Sequence, residues 1–436
     1  MTILGVVFAV ALLIALIAIL RVQPFIAFIV TALIAALVLG LPIEKIPKTI
    51  ERGIGDMLGS LSIVICLGAM FGKLIADSGA AQRIAEALMH LFGPSRVPLA
   101  MALTGFIVGI PLFYNVGFVL MVPLVFSVVY RAKVPPMLVG IPMLSGLSIA
   151  HGFLPPHPSP TALVAQFGAD MGMTLMYGCL ISVPTLFIAG PLFARSLTRI
   201  AVTPSALFKP TTLTEDQLPG TFNSFACALL PVVLISGATA LSYGTFTPST
   251  RSMIEFLGNP MLVMLVSLLV GSITLGLARG RNVAQLMEGY GHAIRDIAGI
   301  LLIIGGAGAL KQVFVDSGVN TELGNLLSNV PIHPLVLGWL VAFAIRIALG
   351  SATVAGLTAA GIVAPLIEIS GVDANLMVLA VGAGSLMCSH VNDSAFWMFK
   401  EYFQVSLRDT FRSWTLMETL VGSLGLVFVL VLNALL

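Results

Sequence analysis

Two short polar segments interrupt otherwise apolar sequence and contain the side chains best suited to proton chemistry. The segment HGFLPPHPSP contains His151 and His157, and SHVNDSAFW contains His390, Asn392 and Asp393. Imidazole changes its charge near neutral pH, and a poorly solvated carboxylate tends to take up a proton. Prolines break helices, so the first segment predicts a broken helix. We predict that Asp393 carries a proton, and that His151, His157, His390 and Asn392 contact a substrate.

Two glycine-bounded segments, GIPLFYNVG and GSATVAG, offer further polar groups for a substrate. The first contains the phenol of Tyr114 and the amide of Asn115, and the second contains the hydroxyls of Ser351 and Thr353. Arg346 lies just before the second segment, inside an apolar run. A guanidinium at such depth is costly without a partner. Arg346 therefore either attracts a substrate carboxylate or pairs with an acid from another helix, and the sequence leaves both roles open.

Other kinds of chemistry lack their usual motifs. His151 and His157 match no standard zinc spacing, and the chain has neither an H-E-x-x-H motif nor a Walker phosphate loop. The four cysteines are scattered, without a C-x-x-C pair. The net charge of +2 gives no sign of a nucleic-acid partner. We predict no metal, no cofactor and no enzymatic activity, with a proton gradient as the energy source.

The composition places these residues in a membrane protein. Of the 436 residues, 58% are hydrophobic and only 9% are charged, with a mean hydropathy of +1.07. A soluble chain has roughly 25% charged residues. Apolar runs such as residues 3–20 and 25–41 are each long enough to cross a bilayer. The chain is therefore predicted to cross the lipid bilayer many times.

An internal repeat is visible in two pairs of matching segments. GKLIADSG places Asp77 where KQVFVDSG places Asp316, and GLSIAHG places His151 where SLMCSHV places His390. Both pairs are offset by 239 positions, since 316 − 77 and 390 − 151 are equal. Asp77 and Asp316 each precede a Ser-Gly pair, which predicts that they cap the helices that follow.

The repeat divides the chain into residues 1–198 and 224–436, joined by a polar linker at 199–223 that is predicted to be cytoplasmic. Each half contains an apolar segment interrupted near its middle, at residues 97–130 and 334–367. Two full crossings need roughly 40 apolar residues plus a turn. These shorter segments therefore predict re-entrant hairpins, which enter and leave the membrane on one side.

Five crossings and one hairpin per half make the second half inverted relative to the first. Basic residues such as Arg83, Arg96 and Arg131 gather on one side, whereas Lys45 and Lys48 on the other side lie among acids. By the positive-inside rule the basic side is cytoplasmic and both termini are periplasmic. We predict an all-α polytopic membrane protein of two inverted structural repeats, with about ten transmembrane helices, two re-entrant helical hairpins and broken helices.

The sequence resembles the gluconate permease (gluconate:proton symporter) family from end to end. The most specific stretches are HGFLPPHPSPTA, RIALGSATVAGLTAAG, SHVNDSAFWMFKEYF and GKLIADSGAAQRIA. The resemblance implies a bacterial inner-membrane carrier that couples gluconate or related sugar acids to protons. It also implies kinship with the ion-transporter superfamily, whose hairpins and broken helices form a mobile transport domain. Asn115 stands where the family usually has an acid, so coupling or substrate choice can differ here.

These observations predict a secondary active transporter for a small hydroxylated carboxylate, and they allow for a homodimer. A permease for D-serine or another small hydroxy or amino acid is the alternative within the same class. An intramembrane hydrolase using His151, His157 and Asp393 is disfavoured because these residues form no recognised nucleophile or metal set. A channel is disfavoured because paired helix breaks with hairpins suit alternating access.

Overall fold

The computed structural model describes residues 2–202, 213–319 and 331–436, apart from the side chains of Thr2, Ile3, Asn115 and Arg131. The part of the chain N-terminal to the linker forms nine helices. They are α1 (Thr2–Ile14), α2 (Pro24–Val38), α3 (Ile46–Asp77), α4 (Ala80–Phe92), α5 (Val97–Gly109), α6 (Tyr114–Ala132), α7 (Met137–Phe153), α8 (Pro158–Phe167) and α9 (Met171–Phe187). Short π-helical turns extend α1 and α9.

The described residues after the linker form ten more helices and, like those before it, no strand. They are α10 (Thr221–Ser242), α11 (Pro248–Leu257), α12 (Pro260–Gly271), α13 (Val283–Asp316), α14 (Pro334–Leu349), α15 (Ala352–Ser370), α16 (Ala374–Leu386), α17 (Ser394–Phe403), α18 (Leu407–Thr410) and α19 (Leu416–Leu435). The π-helical turn Phe411–Thr415 joins α18 and α19 into one long span.

The prediction of an all-α polytopic membrane protein is confirmed. Within the described ranges, eight helices are long and apolar enough to cross a membrane, or nine if the strongly bent pair α4 and α5 forms one span. Helix length alone does not reach the predicted ten crossings. Seven of the eight long helices correspond to predicted crossings, and the eighth, α15, lies mostly within the predicted hairpin at 334–367. The other three predicted crossings are missing because α1, α2 and α16 are short apolar helices, and α16 stops at one of the predicted breaks. The inversion of the second half stays a prediction.

All four predicted breaks separate helices. Residues 110–113 lie between α5 and α6, and residues 154–157 lie between α7 and α8. In the second half, residues 350–351 separate α14 from α15, and residues 387–393 separate α16 from α17. Backbone polar groups at bilayer depth need partners from protein or from a water-filled cavity. The four breaks are therefore the places where the chain can present backbone groups to a ligand.

The two longest helices, α3 and α13, pack closely and antiparallel. A Cβ added to Gly53 of α3 would lie 2.4 Å from the carbonyl oxygen of Gly308 in α13, so only glycine permits this approach. At one end of the pair, Thr49 donates a 2.7 Å hydrogen bond to Asp316. At the other end, Arg281 donates to the backbone carbonyl of Asp77.

The prediction that Asp77 caps the following helix is wrong. The N-cap of α4 is Gly79, and the amide of Ala80 donates to the hydroxyl of Ser78. Asp77 instead ends α3, where its carboxylate accepts a 2.7 Å hydrogen bond from Lys73. Gly79 has a φ of +80°, which a glycine adopts without strain, so the turn needs no carboxylate. The residues that follow Asp316 lie partly outside the described ranges.

The end of the linker packs against α4 and against the turn that precedes α13. Arg83 of α4 donates a 2.9 Å hydrogen bond to the carbonyl of Pro219, and Arg279 donates a 3.0 Å hydrogen bond to Leu218. Residues 203–212, which make up much of the predicted linker, lie outside the described residues. The described part of the linker therefore lies at the end of the molecule where these arginines gather.

Candidate functional site

Three of the four helix breaks border a cavity of about 720 Å³. Its walls come from the long helices α3 and α13, from α7 and α19, and from the ends of the helices that flank these three breaks. Six of the ten residues predicted to form the site line it: Tyr114, His151, Arg346, Ser351, Thr353 and Asp393. The structure thus brings together side chains that lie far apart in the sequence.

Three helices begin at the cavity. Tyr114 is the first residue of α6, Ser351 is the N-cap of α15, and Asp393 is the N-cap of α17, and all three line the cavity. The first turn of a helix leaves backbone N–H groups unpaired and carries a partial positive charge. Three such ends around one cavity favour an anion.

Arg346 supplies the positive charge of the inner cavity. It is buried on α14 with 3% of its surface exposed, and its Nη2 forms an ion pair with the Oδ2 of Asp393. Its Nε and Nη1 have no hydrogen-bond partner among the described residues. The sequence left open whether Arg346 has a structural partner or binds substrate. It has the structural partner, and it still retains two unused donor atoms.

Asp393 is surrounded by donors. Its Oδ2 accepts from Arg346 and from the hydroxyl of Ser389, and its Oδ1 accepts a 2.9 Å hydrogen bond from the amide of Ala395. The indole of Trp414 donates in turn to Ser389 at 2.7 Å. The predicted proton carrier is therefore an N-cap held in an ion pair, an arrangement that fixes the shape of the break.

The tip between α14 and α15 is tied to the break between α16 and α17. Gly350 has a φ of +72°, and a Cβ there would lie 2.3 Å from the carbonyl oxygen of Asn392. The side-chain amide of Asn392 donates a 2.8 Å hydrogen bond to the carbonyl of Ile347 near the end of α14. Asn392 and His390 do not line the cavity. The structure gives Asn392 a positioning contact, and substrate contact by either residue stays a prediction.

Aromatic rings form the other side of the cavity. The ring of Tyr114 lies 5.6 Å from that of His151 and 6.2 Å from that of Trp414, measured between centroids. The hydroxyl of Tyr114 and the Nδ1 of His151 are buried without a hydrogen-bond partner among the described residues. Buried polar atoms are seldom left unpaired. These two atoms are available to a substrate that has hydroxyl groups.

His157 is close to this site but does not line it. Its Nε2 lies 2.7 Å from the carbonyl oxygen of Gly109, the last residue of α5, and its ring packs against that of His151. This contact ties the break between α7 and α8 to the tip between α5 and α6. The side chain of Asn115, the remaining predicted site residue, lies outside the described part of the chain.

The sequence interpretation missed Glu418, which lies on α19 and lines the cavity. Its carboxylate is buried and accepts a hydrogen bond from the hydroxyl of Ser148 on α7. The sequence did carry a signal, because Glu418 is the only charged residue of the apolar helix Leu416–Leu435. An ionisable residue inside a membrane helix is by default a candidate for function.

The outer part of the cavity carries its own charges. Lys73 and Asp77 near the end of α3, and Asp296 on α13, line it at the end of the molecule where Arg281 contacts Asp77. Within the described residues, no group of three or more histidine, cysteine, aspartate or glutamate side chains lies close enough to hold a metal ion.

A polytopic helical fold with paired helix breaks around an internal polar cavity is typical of membrane transporters. Residues 1–435 match the family model described as GntP family permease, and the chain belongs to this family. It is therefore a membrane transporter and not an enzyme, so the alternative of an intramembrane hydrolase is wrong.

Several similar proteins are named for the sugar acid that they transport. The chain is 45% identical to a high-affinity gluconate transporter and 44% identical to a Gnt-II system L-idonate transporter, both from Escherichia coli strain K12. It is 42% identical to a gluconate permease from Bacillus subtilis strain 168. Each match covers 95% of this chain and 95% of the relative.

A solved structure shares the fold. The Alcanivorax borkumensis YdaH transporter, described as having an unusual topology, aligns with a TM-score of 0.68 at 15% sequence identity. The alignment covers 95% of this chain and 98% of that chain. At this identity the likeness concerns the fold alone.

Proposed function

We propose that this protein imports gluconate or a related small hydroxylated carboxylate, such as L-idonate, by proton symport across the bacterial inner membrane. The names of its relatives support the substrate class, since they transport gluconate or L-idonate. The polar cavity supports an anionic substrate. In this proposal, the two inverted repeats at residues 1–198 and 224–436 are the structural basis for alternating access.

The observation that carries this proposal is the incomplete pairing of Arg346. Two of its guanidinium nitrogens have no partner in the described residues, and three helix N-termini lie around the same cavity. Arginine binds carboxylates through two parallel N–H···O bonds. A substrate carboxylate beside Arg346 would use these donors, and the hydroxyls of Ser351, Thr353 and Tyr114 would hydrogen-bond to the hydroxyls of a sugar acid.

The direction in which the cavity opens follows from the basic residues. Lys73 and Asp77 line the cavity and are partly exposed, and Arg281 and the linker end lie nearby. The positive-inside rule assigns this end to the cytoplasm. We infer a cavity that is open to the cytoplasm, with both termini periplasmic and the 199–223 linker cytoplasmic.

Transport assays test the substrate and the coupling together. Purified protein in liposomes is given labelled gluconate, L-idonate or D-serine, with and without an inwardly directed proton gradient. We expect gluconate or L-idonate to accumulate only when the gradient is present. Accumulation of D-serine alone would show that the protein is instead a permease for small hydroxy or amino acids. Equal accumulation without a gradient would contradict proton symport.

Reporter fusions test the orientation. A reporter active only in the periplasm is fused to the C-terminus, and a second copy is inserted into the linker at 199–223. We expect activity from the first fusion and none from the second, and a cytoplasmic reporter should give the opposite pattern. A cytoplasmic C-terminus or a periplasmic linker would contradict the inverted arrangement.

A further inference from the structure

Glu418 is a buried acid without a counter-ion. It has 3% of its surface exposed, and its carboxylate accepts a hydrogen bond from the hydroxyl of Ser148. No lysine, arginine or histidine in the described ranges forms an ion pair with it, whereas Asp393 is paired with Arg346. An unpaired ionised carboxylate is costly in a poorly solvated site.

The charged and titratable groups around Glu418 come from four elements. Tyr114 begins α6, His151 lies one turn after Ser148 on α7, Arg346 is on α14, and Asp393 precedes α17. All line the same cavity, and Arg346 and Asp393 are close enough to interact with Glu418 electrostatically. Helices α9 and α16, which also pack against α19, have no charged residue. The charge balance of the inner cavity is thus set by one guanidinium and two carboxylates.

This balance changes when an anion binds. Without substrate, Arg346 and Asp393 neutralise one another. A substrate carboxylate beside Arg346 adds a negative charge to a cavity that already contains the carboxyl group of Glu418. Like charges in a shared site disfavour joint ionisation, so one of them takes up a proton. The substrate of a sugar-acid carrier is ionised at neutral pH, and Asp393 is held by three donors. Glu418 is therefore the remaining carboxyl group of the inner cavity that can take up the proton.

We propose that Glu418, rather than Asp393, binds the transported proton when a substrate carboxylate occupies the cavity beside Arg346. This inference rests on the proposed proton symport and assigns its proton site. The proton enters from the periplasmic solution, binds a carboxylate oxygen of Glu418, and leaves to water on the cytoplasmic side after the substrate. No covalent bond of the substrate changes. One proton accompanies one monoanion, so the transport cycle moves no net charge.

The test compares Glu418→Gln with the wild type and with Glu368→Gln in liposomes. Glutamine keeps the shape and polarity of Glu418 but cannot titrate. Glu368 is an exposed acid near the end of α15 and serves as the matched control. We expect Glu418→Gln to lose gradient-driven accumulation and substrate-linked proton entry, measured with a trapped pH dye, while substrate counterflow continues. The Glu368→Gln variant should behave like the wild type.

The outcomes separate this inference from the proposed function. If wild-type uptake ignores the proton gradient, proton symport is wrong, and the role of Glu418 is wrong with it. If the wild type responds to the gradient and Glu418→Gln still concentrates substrate, proton symport stands and only the assignment to Glu418 is wrong. Loss of accumulation together with continued counterflow supports the assignment.

Ser148→Ala gives a second measurement that does not depend on removing the acid. The hydroxyl of Ser148 donates to the carboxylate, and such a bond stabilises the ionised form. Without it, we expect the pH profile of gradient-driven uptake to move to higher pH, with counterflow retained at every pH. A profile that matches the wild type in a well-folded Ser148→Ala variant would overturn the role of Glu418.

Discussion

Each of the two predicted hairpin tips is held by one side-chain contact to a backbone carbonyl, but the residue that makes this contact differs between the two tips. In the first half, His157 contacts the carbonyl of Gly109, and in the second half Asn392 donates to the carbonyl of Ile347. In both cases a side chain from a neighbouring helix break holds the end of a helix that leads into a tip. Both halves therefore contain a side-chain contact that holds the tip, although the side chains that form it are not at equivalent repeat positions.

The charged residues of the inner cavity, in contrast, all come from the second half. Arg346, Asp393 and Glu418 have uncharged counterparts 239 positions earlier: Ile107, Leu154 and Cys179. The first half contributes Tyr114 and His151, which bring a hydroxyl and rings but no full charge at neutral pH. The proposed repeat would account for the pairing of the breaks. In the proposed site, the second half would bind the charged group of the substrate and the first half would bind its hydroxyl groups.

The largest effect should come from removing the positive charge of the inner cavity, which the second half supplies. Arg346→Gln leaves Asp393 without its counter-ion, and breaking a buried pair costs about 3–5 kcal/mol. We expect lower thermal stability and substrate binding that falls to background. The double variant Arg346→Gln with Asp393→Asn should recover stability but not binding, measured by melting temperature and by binding of labelled gluconate. Wild-type affinity in either variant would show that Arg346 does not bind the carboxylate.

Substitution of Asp393 tests whether its carboxylate stabilises the helix break or binds the transported proton. The asparagine side chain introduced by Asp393→Asn can still accept hydrogen bonds and cap α17, but it loses the charge-assisted bonds of the carboxylate, which are worth about 1.5–3 kcal/mol each. We expect a lower melting temperature and continued dependence of uptake on the proton gradient. If uptake no longer responds to the gradient while counterflow is intact, the site of the transported proton is Asp393 and not Glu418.

The sequence allowed the fold to be predicted much further than the site. Helix breaks could be located because proline, glycine and polar residues are rare within apolar runs, as in the segment around His157. The side-chain partners within the site could not be predicted. The ion pair of Arg346 with Asp393, for example, joins residues of different helices that lie far apart in the sequence. Glu418 was overlooked although its isolation in an apolar helix was visible. The crossing count also needed more than length, since α16 ends early at its break.

A smaller effect should follow from loosening either tip. Asn392→Ala removes the 2.8 Å hydrogen bond to Ile347, and His157→Ala removes the 2.7 Å contact with Gly109. The net loss from one hydrogen bond is about 1 kcal/mol. We expect each variant to reduce the melting temperature by a few degrees and to slow transport. Protease accessibility near the tips provides the measurement, and a variant as protected as the wild type would argue against a positioning role.

The smallest effect should come from Tyr114→Phe in the first half. The hydroxyl of Tyr114 has no hydrogen-bond partner among the described residues, so its removal breaks no hydrogen bond between them. Stability should therefore stay unchanged or rise slightly, because a buried unpaired polar group is costly. If this hydroxyl bonds to a sugar-acid hydroxyl, the affinity for gluconate should fall by up to about tenfold, as expected for one neutral hydrogen bond. The affinity for a carboxylate that lacks the matching hydroxyl should not change, and titration of the two ligands against wild type and variant makes the comparison. An equal loss of affinity for both ligands would mean that Tyr114 shapes the cavity through its ring and does not hydrogen-bond to a substrate hydroxyl.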